Sequence, residues 1–140
     1  MDGKFEIPQK LATISLFGLG VFVDIRGFFW VVRQEEVLND SEFYVSFNNL
    51  MPIWLWGIII LFFGTCLILS SLSFGKRSIN NISNYFMLIG GTGSAIVHFL
   101  MASASIYNSI NWLTPAQFVA MTAWLGFIGF LGGLSIYGRG

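Results

Sequence analysis

Asp24, Arg26 and His98 are the polar side chains placed to do chemistry, because each interrupts a stretch that is otherwise apolar. A charge inside a membrane span is costly, so such residues tend to mark ion or proton paths, subunit contacts or ligand sites. Asp24 and Arg26 stand two apart, which on a helix points them in different directions and keeps them from pairing with each other. Each then wants its own partner, or water. In one arrangement Asp24 faces a wet pathway or a subunit contact, with Gly20 and Gly27 on roughly its side. In the other the helix tilts or ends early, Arg26 snorkels to outer headgroups and Asp24 rests in the interface.

His98 is the single histidine. A buried hydrogen bond to Asp24 across helices would make a titratable pair; the plainer expectation is a polar packing contact with a Ser, a Thr or a backbone carbonyl on a neighbouring helix. Zinc sites need three or four ligands, and neither Cys66 nor Asp24 is placed by the sequence to complete one, so no metal is expected. Cys66, the one cysteine, rules out an internal disulfide and reads as a small apolar filler. The run GGTGS at 90–94 superficially resembles a phosphate-binding loop, yet it lies within an apolar stretch and has no lysine. With no Ser–His–Asp or Cys–His arrangement implied, the reading is non-enzymatic, without a cofactor or an identified small-molecule substrate.

The elements that hold these residues follow from composition. Of the 140 residues 55% are hydrophobic and 10% charged, well below the roughly 25% charged of soluble domains. No Asp, Glu, Lys or Arg occurs between Arg77 and Arg139, a run long enough for two spans of about 20 residues each. The apolar runs are continuous and do not alternate, which argues against a β-barrel. The expected fold is an all-α integral membrane protein, a single four-transmembrane-helix bundle. Its spans are placed at 11–32, 53–74, 84–107 and 116–137, with an acidic loop at 33–51. Zero net formal charge gives no reason to expect nucleic acid as a partner.

Along the chain, Lys4 and Lys10 precede an apolar run at 11–23 in the manner of a signal peptide. Asp24, Arg26, Phe28, Phe29 and Trp30 follow where small residues would mark cleavage, so an uncleaved signal anchor is the better reading. The acidic loop carries Glu35, Glu36, Asp40 and Glu42 against Arg33, and its SEFYVSF portion could lie on the membrane surface as a short helix or an extended piece. Pro52 opens the second span in the first-turn position that proline favours. Residues 75–83 read as a turn. Thr114, Pro115 and Gln117 have the arrangement of a capping box at the start of the fourth span.

Helices associate in lipid where small side chains let backbones approach. Gly57, Gly64 and Ser71 are seven apart on the second span. Gly91, Ser94, Ala95, Ala102 and Ser105 form a stripe on the third that includes His98, which makes that span the expected packing centre for the other three. Gly126, Gly129, Gly132 and Gly133 thin one face of the fourth, with a GxxxG pair at Gly129 and Gly133. Cations set the orientation: Lys4, Lys10, Lys76, Arg77 and Arg139 gather on one side against Arg33, which puts both termini in the cytoplasm. Trp30, Trp54, Trp56, Tyr107 and Trp112 would then form the outer aromatic belt.

At NNLMPIWLWGIIIL (48–61) and NWLTPAQ (111–117) the chain resembles small uncharacterised membrane proteins encoded by phages and prophages of Gram-positive bacteria. That resemblance implies a phage-borne gene acting at the host cytoplasmic membrane, and it carries over no site residues. The absence of a catalytic set, the small-residue helix faces and the small size leave two expected functions. One is a contact protein, for phage accessory, immunity or superinfection-exclusion roles, acting as a homo-oligomer or on a larger membrane partner. The other is a self-assembling, holin-like permeabiliser or ion channel, although a charged tail of the kind holins carry is not seen before the chain stops at Gly140.

Overall fold

The computed structural model describes residues 7–73, 80–108 and 111–138. They form six helices, with no strand among the described residues: α1 (Ile7–Val32), α2 (Gln34–Asp40), α3 (Glu42–Leu50), α4 (Ile53–Ser73), α5 (Asn80–Asn108) and α6 (Leu113–Tyr137). α1, α4, α5 and α6 are long and apolar enough to cross a membrane. Lys4, Lys76, Arg77 and Arg139, on which the orientation rests, lie outside the described residues.

The four spans form two tight antiparallel pairs, α1 with α4 and α5 with α6, joined where α4 meets α5. Glycine sets both pairings. Gly20 and Gly27 of α1 face Gly64 and Gly57 of α4, and a Cβ on Gly27 would stand 2.7 Å from the Gly57 carbonyl oxygen. In the second pair a Cβ on Gly91 would stand 2.5 Å from the Gly129 nitrogen, and one on Gly132 would stand 2.7 Å from the Leu88 nitrogen. Gly126 and Gly133 are not part of this contact: added methyls there meet Ala95 and Leu88 at ordinary distances of 3.7 and 3.5 Å. The backbone approach on α6 thus uses Gly129 and Gly132, while the Gly129–Gly133 pair straddles the edge of the interface. Ala95, Ala102 and Ser71 are buried. α5 is central to α4 and α6 but not to α1, which lies along α4 instead because the seven-residue glycine spacing occurs on both of those helices.

Between α4 and α5 two serines clasp each other. Ser70 Oγ donates to the Ser83 carbonyl and Ser83 Oγ to the Ser70 carbonyl, both at 2.9 Å. Ser83 is therefore helical, not part of a turn, and α5 begins at Asn80. Hydroxyl-to-carbonyl bonds of this kind join helices without leaving a polar atom bare to lipid.

The acidic segment is two short helices, and its aromatic face turns inward. Ser41 caps α3, its Oγ accepting from the Phe43 N–H at 3.2 Å. One turn apart on α3, Phe43 and Phe47 then point the same way. They plug the end of the bundle against Trp30, Trp56 and Phe118, with ring centroids 5.0–6.1 Å apart. The expected belt is divided as a result. Tyr107, Trp112 and Trp54 are exposed, whereas Trp30 is only 2% exposed and Trp56 donates its Nε1–H to the Phe47 carbonyl at 3.3 Å.

Helix starts also differ from expectation by a few residues. Pro52 stands just before α4, its carbonyl accepting from Leu55 at 2.9 Å, while the Ile53 N–H goes to Asn48 Oδ1 at 3.0 Å. α6 starts at Leu113, whose N–H is taken by Asn111 Oδ1 at 3.0 Å. Thr114 is then inside the helix, Trp112 stands at the cap position without a side-chain capping bond, and Asn111 just outside it takes the first N–H.

Candidate functional site

Asp24 and Arg26 leave α1 on different sides, about 200° apart around the helix. Asp24 lies in the groove between α1 and α4. Its Oδ2 accepts from Thr65 Oγ1 at 3.3 Å, and its Oδ1 rests against Gly64 without a hydrogen-bond partner. A Cβ on Gly64 would collide with that oxygen, so the glycine makes the room that the carboxyl occupies. Thr65 is exposed on the outer surface of the bundle and stands two residues past the middle of α4, about 3 Å of rise. The Asp24–Thr65 pair is thus a polar spot within the length of the spans that opens outward.

Arg26 points into the space between α1 and α6. Its guanidinium carbon lies 5.0 Å from the centre of the Phe118 ring and 5.7 Å from that of Phe22, and Nη1 donates to the Met101 sulfur at 3.6 Å. Aromatic faces and a thioether are soft, weak partners for a cation with five N–H donors. The one ion pair among the described residues is Arg33 with Glu36, at 2.7 Å on the surface of α2, so no carboxylate neutralises Arg26 there. Tyr44 of α3 is a cap residue that feels the charge of Arg26. Burial raises its phenol above the ordinary pKa, Arg26 pulls it down and Asp40 pushes it up, so the hydroxyl lies within electrostatic reach of both charges.

His98 is 1% exposed and sits edge-on to Phe118, centroids 6.3 Å apart. Its Nδ1 is 2.8 Å from the Ser94 carbonyl oxygen one turn back. A carbonyl only accepts, so Nδ1 carries a hydrogen, and Nε2 is left with no hydrogen-bond partner. Neither of the cross-helix polar contacts expected for His98 is present among the described residues: its carbonyl partner, Ser94, is on its own helix, and Asp24 is bonded to Thr65.

Arg26 and His98 therefore share one ring, while Asp24 belongs to a separate place. No group of three His, Cys, Asp or Glu residues that could hold a metal occurs among the described residues. The chemistry available is recognition: a hydrogen-bonding carboxyl turned outward, and a cation in an aromatic cradle. Thr65, Phe118, Met101 and the Ser70–Ser83 clasp were not singled out from the sequence. A weak signal existed for Phe118, which falls in the first turns of α6 on the same side of the membrane as Arg26; Thr65 had none beyond following Gly64. No family model, curated protein or solved structure matches this chain.

Proposed function

We propose that this chain is a non-enzymatic membrane protein that acts by contact, docking another membrane helix against its Asp24–Thr65 face. One observation carries the reading: a half-buried carboxyl and an exposed hydroxyl meet at the outer surface of the bundle within the length of the spans. Ionisable groups in spans nearly always face protein or water. A surface that would leave this pair in lipid is best completed by a neighbour, either a second copy or a larger membrane protein. A lean groove beside Gly126 and Gly133 on the outer side of α5 and α6 adds a second place for close helix approach. The resemblance to phage-encoded membrane proteins sets the context, a phage accessory, immunity or superinfection-exclusion role at the host cytoplasmic membrane.

The alternative, a self-assembling holin-like permeabiliser or channel, draws on the same pair, since copies gathered around Asp24 and Thr65 would line water with them. Membrane potential in induced bacteria separates the two. Contact action leaves the potential intact. Asp24→Asn keeps an oxygen acceptor for Thr65 and should preserve association in bilayers, whereas Asp24→Leu should weaken it roughly tenfold, the worth of one interhelical polar bond. A collapse of potential that Asp24→Asn abolishes would overturn the contact reading in favour of a conducting one.

Four antiparallel spans bring the described ends of α1 and α6 to one side of the bundle. The cations at Lys4, Lys10, Lys76, Arg77 and Arg139 support a cytoplasmic position for that side, with the α2–α3 cap outside. A reporter enzyme active only outside the cytoplasm, fused after Gly140, should be silent there. Full activity at that fusion would reverse the orientation.

A further inference from the structure

Three observations converge on the seam between α1 and α6. First, these two helices do not pack closely, since α1 lies along α4 and α6 along α5. A cleft of about 310 Å³ lies between them, walled by Ala12, Ser15 and Leu16 of α1 and by Trp124, Ile128 and Leu131 of α6. That volume is at the lower end of the 300–1,000 Å³ typical of ligand pockets, and its walls are mostly apolar.

Second, the same seam holds Arg26 farther toward the cap, with Phe22 and Phe118 on its flanks and only a sulfur as hydrogen-bond acceptor. A guanidinium so placed lacks the oxygen acceptors it would have in water. The neighbouring buried group, His98 Nε2, is also without a partner. Third, the depths suit a lipid. Arg26 is six residues before the end of α1, about 9 Å beneath it, a depth from which a long side chain reaches the phosphate level. From Arg26 to Leu16 is ten residues, about 15 Å, which is half the ~30 Å hydrocarbon thickness and so the depth an acyl chain covers.

We propose that the α1–α6 seam binds one anionic phospholipid, its phosphate held by Arg26 beneath the α3 cap and an acyl chain laid along the cleft. The phosphate oxygens accept from the guanidinium in the bidentate manner that arginine favours, and the Tyr44 hydroxyl is the second donor at the mouth. Phe22 and Phe118 flank the glycerol region. The apolar walls below give the chain a protein surface in place of neighbouring lipid. This site is on the opposite side of α1 from Asp24 and does not depend on what docks there.

The test uses the purified full-length chain in mild detergent, with dioleoylphosphatidylglycerol or dioleoylphosphatidylcholine added in equal amounts and retention read by native mass spectrometry. One phosphatidylglycerol per chain should be retained, at least roughly tenfold over phosphatidylcholine, as a charge-assisted hydrogen bond implies. Arg26→Met should remove the preference. Arg33→Gln deletes an equal charge on the surface and should leave it unchanged. Millimolar inorganic phosphate should neither compete nor raise the melting temperature, since the acyl contact is missing. Leu131→Trp fills the cleft from an exposed position, so it should fold normally and lower retention even if Arg26→Met proves too unstable to read. Equal retention of the two lipids by the unaltered chain would overturn the proposal. So would an equal loss in Arg26→Met and Arg33→Gln, which would mean diffuse charge attraction, or undiminished retention in Leu131→Trp.

Discussion

Gly91→Ala should cost this protein about 2–3 kcal/mol of stability, while Gly126→Ala, midway along the partner helix, should cost nothing measurable. The contrast is steric. The new methyl at 91 would stand 2.5 Å from the Gly129 nitrogen, 2.8 Å from the Gly129 Cα and 2.8 Å from the Leu125 carbonyl oxygen. All three are backbone atoms, so no rotamer change relieves them and α5 must move away from α6. Moving it also loosens the contact of Gly129 with Thr92 and that of Gly132 with Leu88, where added methyls would be equally crowded. In lipid these close contacts are the main source of helix association, since apolar surface gains little by leaving one apolar medium for another. At Gly126 the methyl would meet only the Ala95 Cβ at 3.7 Å, an ordinary contact, and alanine's better helix propensity offsets any small cost. Unfolding in mixed micelles followed by circular dichroism reads both variants. Equal midpoints for the two would mean that the α5–α6 approach does not hold the bundle together.

That contrast also marks the limit of what was legible in the sequence. The small-residue periodicity on the fourth span is plain, and it correctly implies a close-packed helix. It does not say which of Gly126, Gly129, Gly132 and Gly133 points at α5, because a face of glycines spans more than one possible rotation of the helix. Register between helices decides this, and register is a property of pairs. The same holds for Asp24. Its divergence from Arg26 follows from helix geometry alone, whereas its partner, Thr65, depends on how far α4 slides along α1, which Gly20, Gly27, Gly57 and Gly64 fix jointly.

The spans themselves were legible because bilayer thickness imposes a length and continuous apolar runs satisfy it. Their ends were less so. α5 gains a turn at its start because Asn80–Ser83 continue the helix and Ser83 finds Ser70 across the interface. At the start of α6, two capping side chains lay within four residues, and Asn111 prevails over Thr114. The segment at 33–51 presents a different difficulty. Its charges suggest a surface strip, but Val37 on α2 and Phe43 and Phe47 on α3 are all buried. Charge dominated the composition of that stretch, while the four-residue spacing of two phenylalanines carried the structural information.

Phe47→Ala should undock the cap and leave the four spans in place. Phe47 is 1% exposed and makes three ring contacts, with Phe43 at 5.3 Å, Trp56 at 5.0 Å and Trp30 at 6.1 Å. Unlike the mid-span glycines, it lies at the end of the bundle, where the alternative to burial is the interface and water. The hydrophobic effect therefore acts there in full, and truncating a buried phenylalanine costs about 3–5 kcal/mol. α2 and α3 have seven and nine residues, too few to persist as helices without that packing. The loss falls on local opening of the cap, because the backbone approaches at Gly20, Gly27, Gly91 and Gly132 that hold α1 to α4 and α5 to α6 do not involve Phe47. Protease cleavage within 33–51 should then accelerate by roughly 100-fold or more, with helix content nearly constant. Val45→Ala, at an exposed position on the same helix, should leave the cleavage rate unchanged. Cooperative loss of the whole bundle in Phe47→Ala would instead mean that cap and spans form one unit.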